Sequence, residues 1–266
     1  MPVLSKQESQ AIKINGGLYK MGYSGDQFCY DIELPEHSVY LNDYKIDAYP
    51  ITNRQYIKFV EDGGYDDFKY WLSDGWDKVQ SEKWKAPMYW EKIDGKWMTC
   101  DFLGKRKINL NEPVCHVSYY EADAYCKWAG KRLPTEAEWE KAACWDEKNK
   151  IKTIFPWSDE SPDVVHANLL ESYIWNCAEI GAYPNGKSHY GCHQMIGDVW
   201  EWTSSEFSGY PGFKTGFSEY NDKWFANQKV LRGGSFATPS ISIRGSYRNF
   251  FRLDERWLFS GFRCAE

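Results

Sequence analysis

Apolar positions between residues 118 and 143 follow the 3.6-residue period of two short helices joined by a tight elbow. The stripe of the first helix is Tyr120, Ala124 and Trp128, and the apolar positions of the second are Ala137, Trp139 and Ala143. Two Ser/Thr-x-x-Glu patterns fit capping boxes at the helix starts, namely Ser118 with Glu121 and Thr135 with Glu138. Gly130 is placed to end the first helix, and Pro134 precedes the second. The pattern predicts an amphipathic helix pair.

The chain before this helix pair alternates between strand and helix patterns. Strand character is found at residues 12–21 and 38–41. Residues 46–60 pass from a strand into a helix, with a capping box at Thr52 and Gln55 and a buried stripe of Tyr56, Phe59 and Val60. The pattern of residues 65–112 predicts a long loop rich in aromatic residues, with one hairpin at 89–99.

The chain after the helix pair predicts short strands within irregular structure. Residues 145–196 show turn signals and little periodicity. Strand-like stretches follow at residues 197–203, 229–236, 243–248 and 261–264. Because no internal repeat, low-complexity tract or linker interrupts the chain, we expect a single α+β domain over residues 1–266.

Composition narrows the classes of function. Fourteen Trp, nineteen Tyr and fourteen Phe supply enough buried ring area to fix irregular loops. A net charge of −6 argues against non-specific nucleic-acid binding. The sequence has neither an apolar run of membrane-spanning length nor a signal-peptide core, so a cytoplasmic location is the expectation. The eight cysteines form no Cys-x-x-Cys pair, which favours reduced, half-buried thiols over a zinc site.

Seven short blocks carry a resemblance to a known superfamily. They are YPITN at 49–53, HVS at 116–118, RLPTEAEW at 132–139, GDVWEWT at 197–203, LRGGSF at 231–236, YRN at 247–249 and GFRC at 261–264. Together they resemble the formylglycine-generating-enzyme-like, or sulfatase-modifying-factor, superfamily. The resemblance covers the chain from about residue 17 to residue 264. It implies a C-type-lectin-like α+β fold with few helices, short strands and much irregular structure.

Four further blocks point to one branch of that superfamily. EDGGY at 61–65, WLSDGW at 71–76, APMYW at 86–90 and YRNFF at 247–251 are similar to the C-terminal domain of the sulfoxide synthases of ergothioneine biosynthesis. The resemblance implies a non-haem iron(II)- and O2-dependent oxidoreductase. Such an enzyme joins a small-molecule thiol to the imidazole of a histidine betaine and leaves a sulfoxide.

Two departures from the relatives bear on this hypothesis. Residues 236–247 contain no cysteine, whereas formylglycine-generating enzymes carry a cysteine pair just after the RGGS block. Because a copper-thiolate oxidase needs soft sulfur ligands, formylglycine generation is disfavoured. The sulfoxide synthases take their iron-binding histidines from an N-terminal helical bundle, and residues 1–16 are too few to form one. Three alternatives stay open: a separate helical-bundle partner, a different mode of metal binding, or no metal chemistry. The second functional hypothesis is a non-catalytic lectin-like protein that binds or displays a ligand.

Two groups of residues are candidate metal ligands. His189 and His193 have His-x-x-x-His spacing for iron(II), although Gly186 and Gly191 argue against the helix that would align them. The resemblance places a structural calcium at Gln194, Gly197, Val199 and Glu201. Oxygen ligands of this kind suit Ca²⁺. The alternative interpretation is a turn in which Glu201 pairs with an arginine.

The remaining candidates are implied by the resemblance. Tyr210 would be a catalytic proton or hydrogen-bond donor, with an aromatic plug before a Pro-Gly turn as the alternative. Residues expected to bind substrate are Arg244, Arg248, Asn249, Trp71, Asp74 and Trp76. An arginine fork grips a carboxylate bidentately, so the arginines would hold the substrate carboxylate. Structural salt bridges and aromatic packing are the alternatives for this set.

Overall fold

The computed structural model describes residues 10–102, 104–216 and 221–266. It confirms the predicted α+β class, with few helices and many short strands. The helices are α1 (Asn53–Glu61), α2 (Ser73–Glu82), α3 (Tyr119–Trp128) and α4 (Glu136–Cys144). Short 3-10 turns lie at Asp31–Glu33, Phe68–Tyr70, Leu170–Ser172, Pro184–Gly186, Asn221–Trp224 and Ser240–Ser242.

The strands form several small sheets. They are β1 (Ala11–Ile14), β2 (Gly17–Met21), β3 (His37–Leu41), β4 (Tyr44–Asp47), β5 (Glu91–Ile93), β6 (Lys96–Asp101), β7 (Gly104–Lys107), β8 (Trp145–Asp146), β9 (Ile151–Lys152), β10 (Trp200–Glu206), β11 (Lys229–Arg232), β12 (Asn249–Phe251) and β13 (Ser260–Gly261). The largest sheet has the order β12-β11-β10-β13, in which β13 runs parallel to β10 and the other pairs are antiparallel. The smaller sheets are β1-β4, β2-β3, β5-β6-β7 and β8-β9.

All three predicted capping boxes are confirmed. The Ser118 hydroxyl accepts from the backbone N–H of Glu121 at 3.2 Å, and the Glu121 carboxylate accepts from the backbone N–H of Ser118 at 2.8 Å. The same reciprocal pattern opens α4 at Thr135 and α1 at Thr52. These local signals fix where the helices begin, because they satisfy donors that a helix start leaves free.

Helix α2 lies within the segment that the sequence predicted as an aromatic loop. Its polar sequence and internal Gly75 weaken the helical signal. A Cβ at Gly75 would lie 2.8 Å from Cγ of Tyr120, so the glycine allows α2 to pack closely on α3. Tertiary packing therefore decides the conformation of this segment.

The expected strand at residues 243–248 is wrong. The segment forms a turn in which the backbone N–H of Tyr247 donates to the carbonyl of Arg244 at 3.1 Å. The polar and apolar residues of this segment suggest a strand, yet the side chains of Arg244 and Arg248 both turn inward and pair with buried carboxylates. In the expected strand at 261–264, only Gly261 belongs to β13.

The helix pair supplies carboxylates to a set of buried arginines from the last third of the chain. Glu136 and Glu140 on α4 both pair with Arg232, and Glu121 on α3 pairs with Arg256. Arg232 is fully buried, so these ion pairs belong to the interior. The segment that identifies the superfamily is therefore a scaffold that anchors the C-terminal strands.

Candidate functional site

An open cavity of about 470 Å³ lies beside β12, and we name it the C-terminal cavity. Its lining residues are Tyr30, Ile32, Trp224, Gln228, Tyr247, Arg248, Asn249, Phe250, Phe251, Arg252, Glu255 and Trp257. The volume is in the usual range for a small-molecule site. Rings therefore surround a small number of polar groups, which is the composition of a ligand pocket.

Arg252 is the lining arginine that is available to a ligand. Its side chain is exposed and makes no hydrogen bond or ion pair with the described residues. Asn249 stands nearby on β12, where its Oδ1 accepts from the backbone N–H of Phe250 at 3.0 Å and its amide NH2 has no described partner. A cationic fork and a free amide donor in one cavity suit a carboxylate.

The aromatic part of the C-terminal cavity offers ring faces to a cation. Tyr247 stacks on Tyr30 with centroids 5.1 Å apart, and the ring of Phe251 meets Trp257 edge to face at 5.5 Å. Burial raises the pKa of Tyr247, so this phenol stays neutral. Glu255 adds one carboxylate to the same wall.

The structure corrects the expected role of Arg248. Its guanidinium is buried and grips Glu136 with both arms, from Nε at 2.9 Å and from Nη2 at 3.0 Å. Nη1 donates to the backbone carbonyls of Ile32 at 2.9 Å and Ser208 at 3.0 Å. Four of its five N–H groups are therefore used internally, and no fork is left for a substrate carboxylate.

Arg244 is likewise occupied by a protein carboxylate. Its Nε and Nη2 donate to the two oxygens of Glu33 at 2.8 and 2.6 Å, and Glu33 is fully buried. Arg244 lines none of the C-terminal cavity. Arg244 therefore forms an internal salt bridge, which was the alternative to its expected role in substrate binding.

The structure places Tyr210 in the interior, away from the C-terminal cavity. Its ring lies 4.1 Å under the guanidinium of Arg248, and its hydroxyl is 3.5 Å from the carboxylate of Glu136. Burial and the neighbouring Glu136 raise the pKa of Tyr210 far above its ordinary value. In this arrangement the phenol supports the Arg248–Glu136 pair, and its expected contact with a substrate is absent from the described cavity lining.

The three candidates from residues 71–76 are divided between core and surface. Trp71 is buried and donates from its indole to the carbonyl of Gly64 at 2.8 Å, and Trp76 packs against the same core. Asp74 is exposed and lines a neighbouring open groove that Arg252 also borders. The structure therefore brings Asp74 near the C-terminal cavity and keeps the two tryptophans as packing residues.

The two candidate iron ligands lie in irregular structure and face different partners. His189 directs Nδ1 to the carboxylate of Asp146 at 3.5 Å, whereas His193 stacks on Tyr49 with centroids 4.6 Å apart. Burial lowers the pKa of His193, so its imidazole is neutral. Within residues 10–102, 104–216 and 221–266, no group of three or more His, Cys, Asp or Glu side chains has the geometry of a metal site. The described residues therefore do not fit an iron centre.

The candidate calcium ligands carry other contacts. Both oxygens of Glu201 are taken by Arg263, and the indole N–H of Trp139 adds a bond at 2.8 Å. The Gln194 side-chain oxygen accepts from the backbone N–H of Gly181 at 2.7 Å. Gly197 and Val199 contribute backbone to the same turn. These contacts match the alternative in which Glu201 pairs with an arginine, and we expect them to exclude calcium.

Arg244, Arg248, Arg252 and Arg256 lie close together in the sequence, and sequence reasoning did not single out Arg252. Among these four, Arg252 is the one without a carboxylate partner in the described part of the chain. It also missed the rings that build the C-terminal cavity from distant segments: Tyr30, Trp224, Tyr247 and Trp257. Only high aromatic content near the C-terminal blocks hinted at them. None of the helices in the described part of the chain is both long and apolar enough to cross a membrane.

Comparison with known proteins places this fold and cavity in a family. The profile of the sulfatase-modifying factor enzyme 1-like domain matches residues 2–266. Hercynine oxygenase from Mycobacterium tuberculosis is 41% identical over 237 residues, which are 88% of this chain and 55% of that protein. Its counterpart from Mycolicibacterium smegmatis is 39% identical over 96% of this chain and 60% of its own length. The chain thus spans somewhat more than half the length of these curated relatives.

More distant relatives agree on the fold. Formylglycine-generating enzyme from Mus musculus is 30% identical over 97% of this chain and 75% of its own length. The structure of PvdO from Pseudomonas aeruginosa is 20% identical, with a TM-score of 0.66 and coverage of 96% of this chain and 93% of its own. Because that identity is low, the likeness to PvdO shows the fold alone. By its matched profile and its relatives, the chain belongs to the sulfatase-modifying factor enzyme 1-like domain family.

Proposed function

We propose that this chain is the substrate-binding portion of an iron(II)- and O2-dependent oxidoreductase that forms a C–S bond between a small-molecule thiol and a histidine betaine, leaving a sulfoxide. The proposal assigns it to the sulfoxide-synthase branch of the family and places it in ergothioneine biosynthesis. Support comes from relatives named hercynine oxygenase at about 40% identity. The single observation that carries it is the C-terminal cavity, where one unpaired arginine faces a set of aromatic rings.

The chemistry of a histidine betaine matches the two halves of this cavity. The substrate carboxylate would accept from the guanidinium of Arg252 and from the amide of Asn249. The quaternary ammonium has no N–H to donate, so it is best held by ring faces such as those of Trp224 and Trp257, which are about half exposed. These contacts would orient the imidazole and leave it exposed at the mouth of the cavity.

The iron ligands must come from outside the described residues, because those residues hold no suitable cluster. We propose that a helical-bundle partner, on a separate polypeptide, supplies them and closes over the C-terminal cavity. The chain spans 55 to 60% of the length of the hercynine oxygenases it matches. Residues 1–266 would then act as one domain, with the thiol bound where the two parts meet.

A ligand series tests this function directly. Calorimetric titration of the purified chain with hercynine, histidine, and the hercynine methyl ester separates the contributions of the two charged groups. We expect hercynine to bind most tightly, histidine to lose the cation–π contribution, and the ester to lose the charge-assisted contact with Arg252, each by about tenfold. Equal affinity for all three ligands, or no binding of any, would refute the proposal.

Oxygen uptake then separates an enzyme from a ligand-binding protein. The chain is mixed with iron(II), hercynine, a thiol and a helical-bundle protein encoded near it. Uptake that requires all components supports the oxidoreductase. Tight hercynine binding with no oxygen uptake in any pairing would instead establish a non-catalytic binding protein, which is the alternative raised by the lectin-like fold.

A further inference from the structure

A second cavity of about 300 Å³ is lined by three of the eight cysteines, and we name it the cysteine cavity. The three are Cys100, Cys115 and Cys177. The rings around them are Tyr89, Trp90, Phe102, Phe236, Trp257 and Phe259. The function proposed for the C-terminal cavity makes no use of these thiols.

Two of the three cysteines belong to one small cluster of packed side chains. Cys115 packs against the cluster that Cys177 forms with Val199 and Phe236. Cys115 is partly exposed and Cys177 is 6% exposed, and both line the cysteine cavity. The Cys177 thiol donates to the backbone carbonyl of Asp198, with Sγ 3.9 Å from the oxygen.

His116 makes the two thiols unequal. Its imidazole lies next to Cys115 and meets Tyr89 edge to face, with centroids 4.8 Å apart. Burial alone would raise the pKa of Cys115, but the Cys177 thiol and the His116 imidazole outweigh it and lower that pKa. The same coupling raises the pKa of Cys177. Cys115 is therefore the more readily deprotonated cysteine of the two and the first nucleophile, and Cys177 is the one that attacks second, as it gives up its proton.

Charged side chains in the lining of the cysteine cavity affect which ligands can bind, according to the charge of the ligand. Arg106 pairs with both Asp101 and Glu112, so this cluster carries one excess negative charge. Aromatic walls and a negative rim favour ligands that are apolar and uncharged. Anionic ligands of the same size are disfavoured.

We propose that the cysteine cavity is a thiol–disulfide exchange site for small, uncharged disulfides with aromatic or apolar bodies. The Cys115 thiolate attacks the disulfide R–S–S–R, forming Cys115–S–S–R and releasing R–S⁻. Cys177 then attacks Cys115, closes the Cys115–Cys177 disulfide, and transfers its proton to the second departing thiolate, which leaves as R–SH. The small disulfide is reduced by two electrons, and the cysteine pair is oxidised by the same two.

A second cysteine pair provides an internal control. Sγ of Cys126 and Sγ of Cys264 are 3.4 Å apart, yet both residues are fully buried and neither lines the cysteine cavity. Burial raises the pKa of Cys264. A small disulfide should therefore reach the first pair and leave the second reduced.

The test uses the full chain with Cys29, which is partly exposed and lines neither cavity, as an internal reference. The protein is treated with 4,4′-dithiodipyridine, quenched in acid and mapped by peptide mass spectrometry. We expect a Cys115–Cys177 disulfide that forms about tenfold or more faster than any modification of Cys126 or Cys264. Relative to Cys29, the anionic reagent 5,5′-dithiobis(2-nitrobenzoate) should modify Cys115 more slowly than the neutral reagent does.

Variants assign the two roles. Cys177→Ser should stop the reaction at a mixed disulfide on Cys115, and Cys115→Ser should leave Cys177 unmodified. Cys177→Ala serves as a second variant if the serine disturbs folding, which circular dichroism reports. A persistent mixed disulfide on Cys115 in the unsubstituted protein would overturn the proposal. Equal reactivity of the Cys126–Cys264 pair would also overturn it, because access would then come from unfolding.

Discussion

Replacing Arg248 with Gln should cost folding stability and leave the chemistry of ligand recognition intact. The substitution removes four hydrogen bonds, two of them to the carboxylate of Glu136, from a site where Arg248 is 1% exposed. The Glu136 carboxylate is then left buried, with its remaining bonds from Arg232 at 3.2 Å and from the Tyr210 hydroxyl at 3.5 Å. Breaking one partner of a buried ion pair costs about 3–5 kcal/mol, and we expect that loss in the free energy of unfolding.

Urea unfolding at pH 7 measures this loss, and a double-mutant cycle with Glu136→Gln shows where it comes from. If the cost reflects the stranded Glu136 charge, the double variant should be more stable than the sum of the two single losses predicts. A matched surface control is Glu91→Gln, whose partner Lys105 is about half exposed and whose loss should stay below about 1 kcal/mol. The reasoning would be refuted if Arg248→Gln kept full stability and abolished hercynine binding, since Arg248 would then act as a substrate ligand.

Three further predictions concern the scaffold. Salt bridges to Lys152 and Arg232 outweigh burial and lower the pKa of Glu140 to about 2. The ionised carboxylate therefore contributes about 3 kcal/mol to the free energy of unfolding above pH 4.5, and this contribution is lost as the pH falls towards 2. Glu140→Gln should remove this pH dependence from acid unfolding curves, and an unchanged curve would contradict the prediction. Gly75→Ala should destabilise the fold by about 1–3 kcal/mol in urea, because its Cβ would meet Tyr120, and a neutral effect would show that α2 adjusts freely. Millimolar Ca²⁺ should leave the melting temperature unchanged, because Arg263 occupies Glu201, whereas a rise would establish the calcium site.

Local signals in the sequence were sufficient for part of the fold. The helices α1, α3 and α4 begin at residues whose side chains bond their own first turn, so four-residue patterns locate them. Helix α2 depends on the contact of Gly75 with Tyr120, 45 positions away, and no local pattern encodes that contact. Because of this long separation, the sequence alone did not predict helix α2.

The candidate site was harder to predict for the same reason. Arg244, Arg248 and Arg252 are equivalent in sequence, but the partners Glu33 and Glu136 lie 211 and 112 positions from the first two. The fold therefore neutralises two of these arginines and leaves Arg252 without an ion-pair partner among the described residues. Resemblance to a family indicated the region of the proposed site, whereas the choice of residue within it required the three-dimensional contacts.

The central claim is that Arg252 holds the carboxylate of a betaine in the C-terminal cavity. Its most direct test is the affinity of the Arg252→Gln variant for hercynine, measured by calorimetry beside the unsubstituted chain. The control is Lys20→Gln, which makes the same change of charge at an exposed position on β2. We predict that Arg252→Gln weakens binding by about tenfold or more without loss of unfolding free energy, while Lys20→Gln has no effect on either. Unchanged hercynine affinity in Arg252→Gln, or an equal loss in Lys20→Gln, would contradict the account.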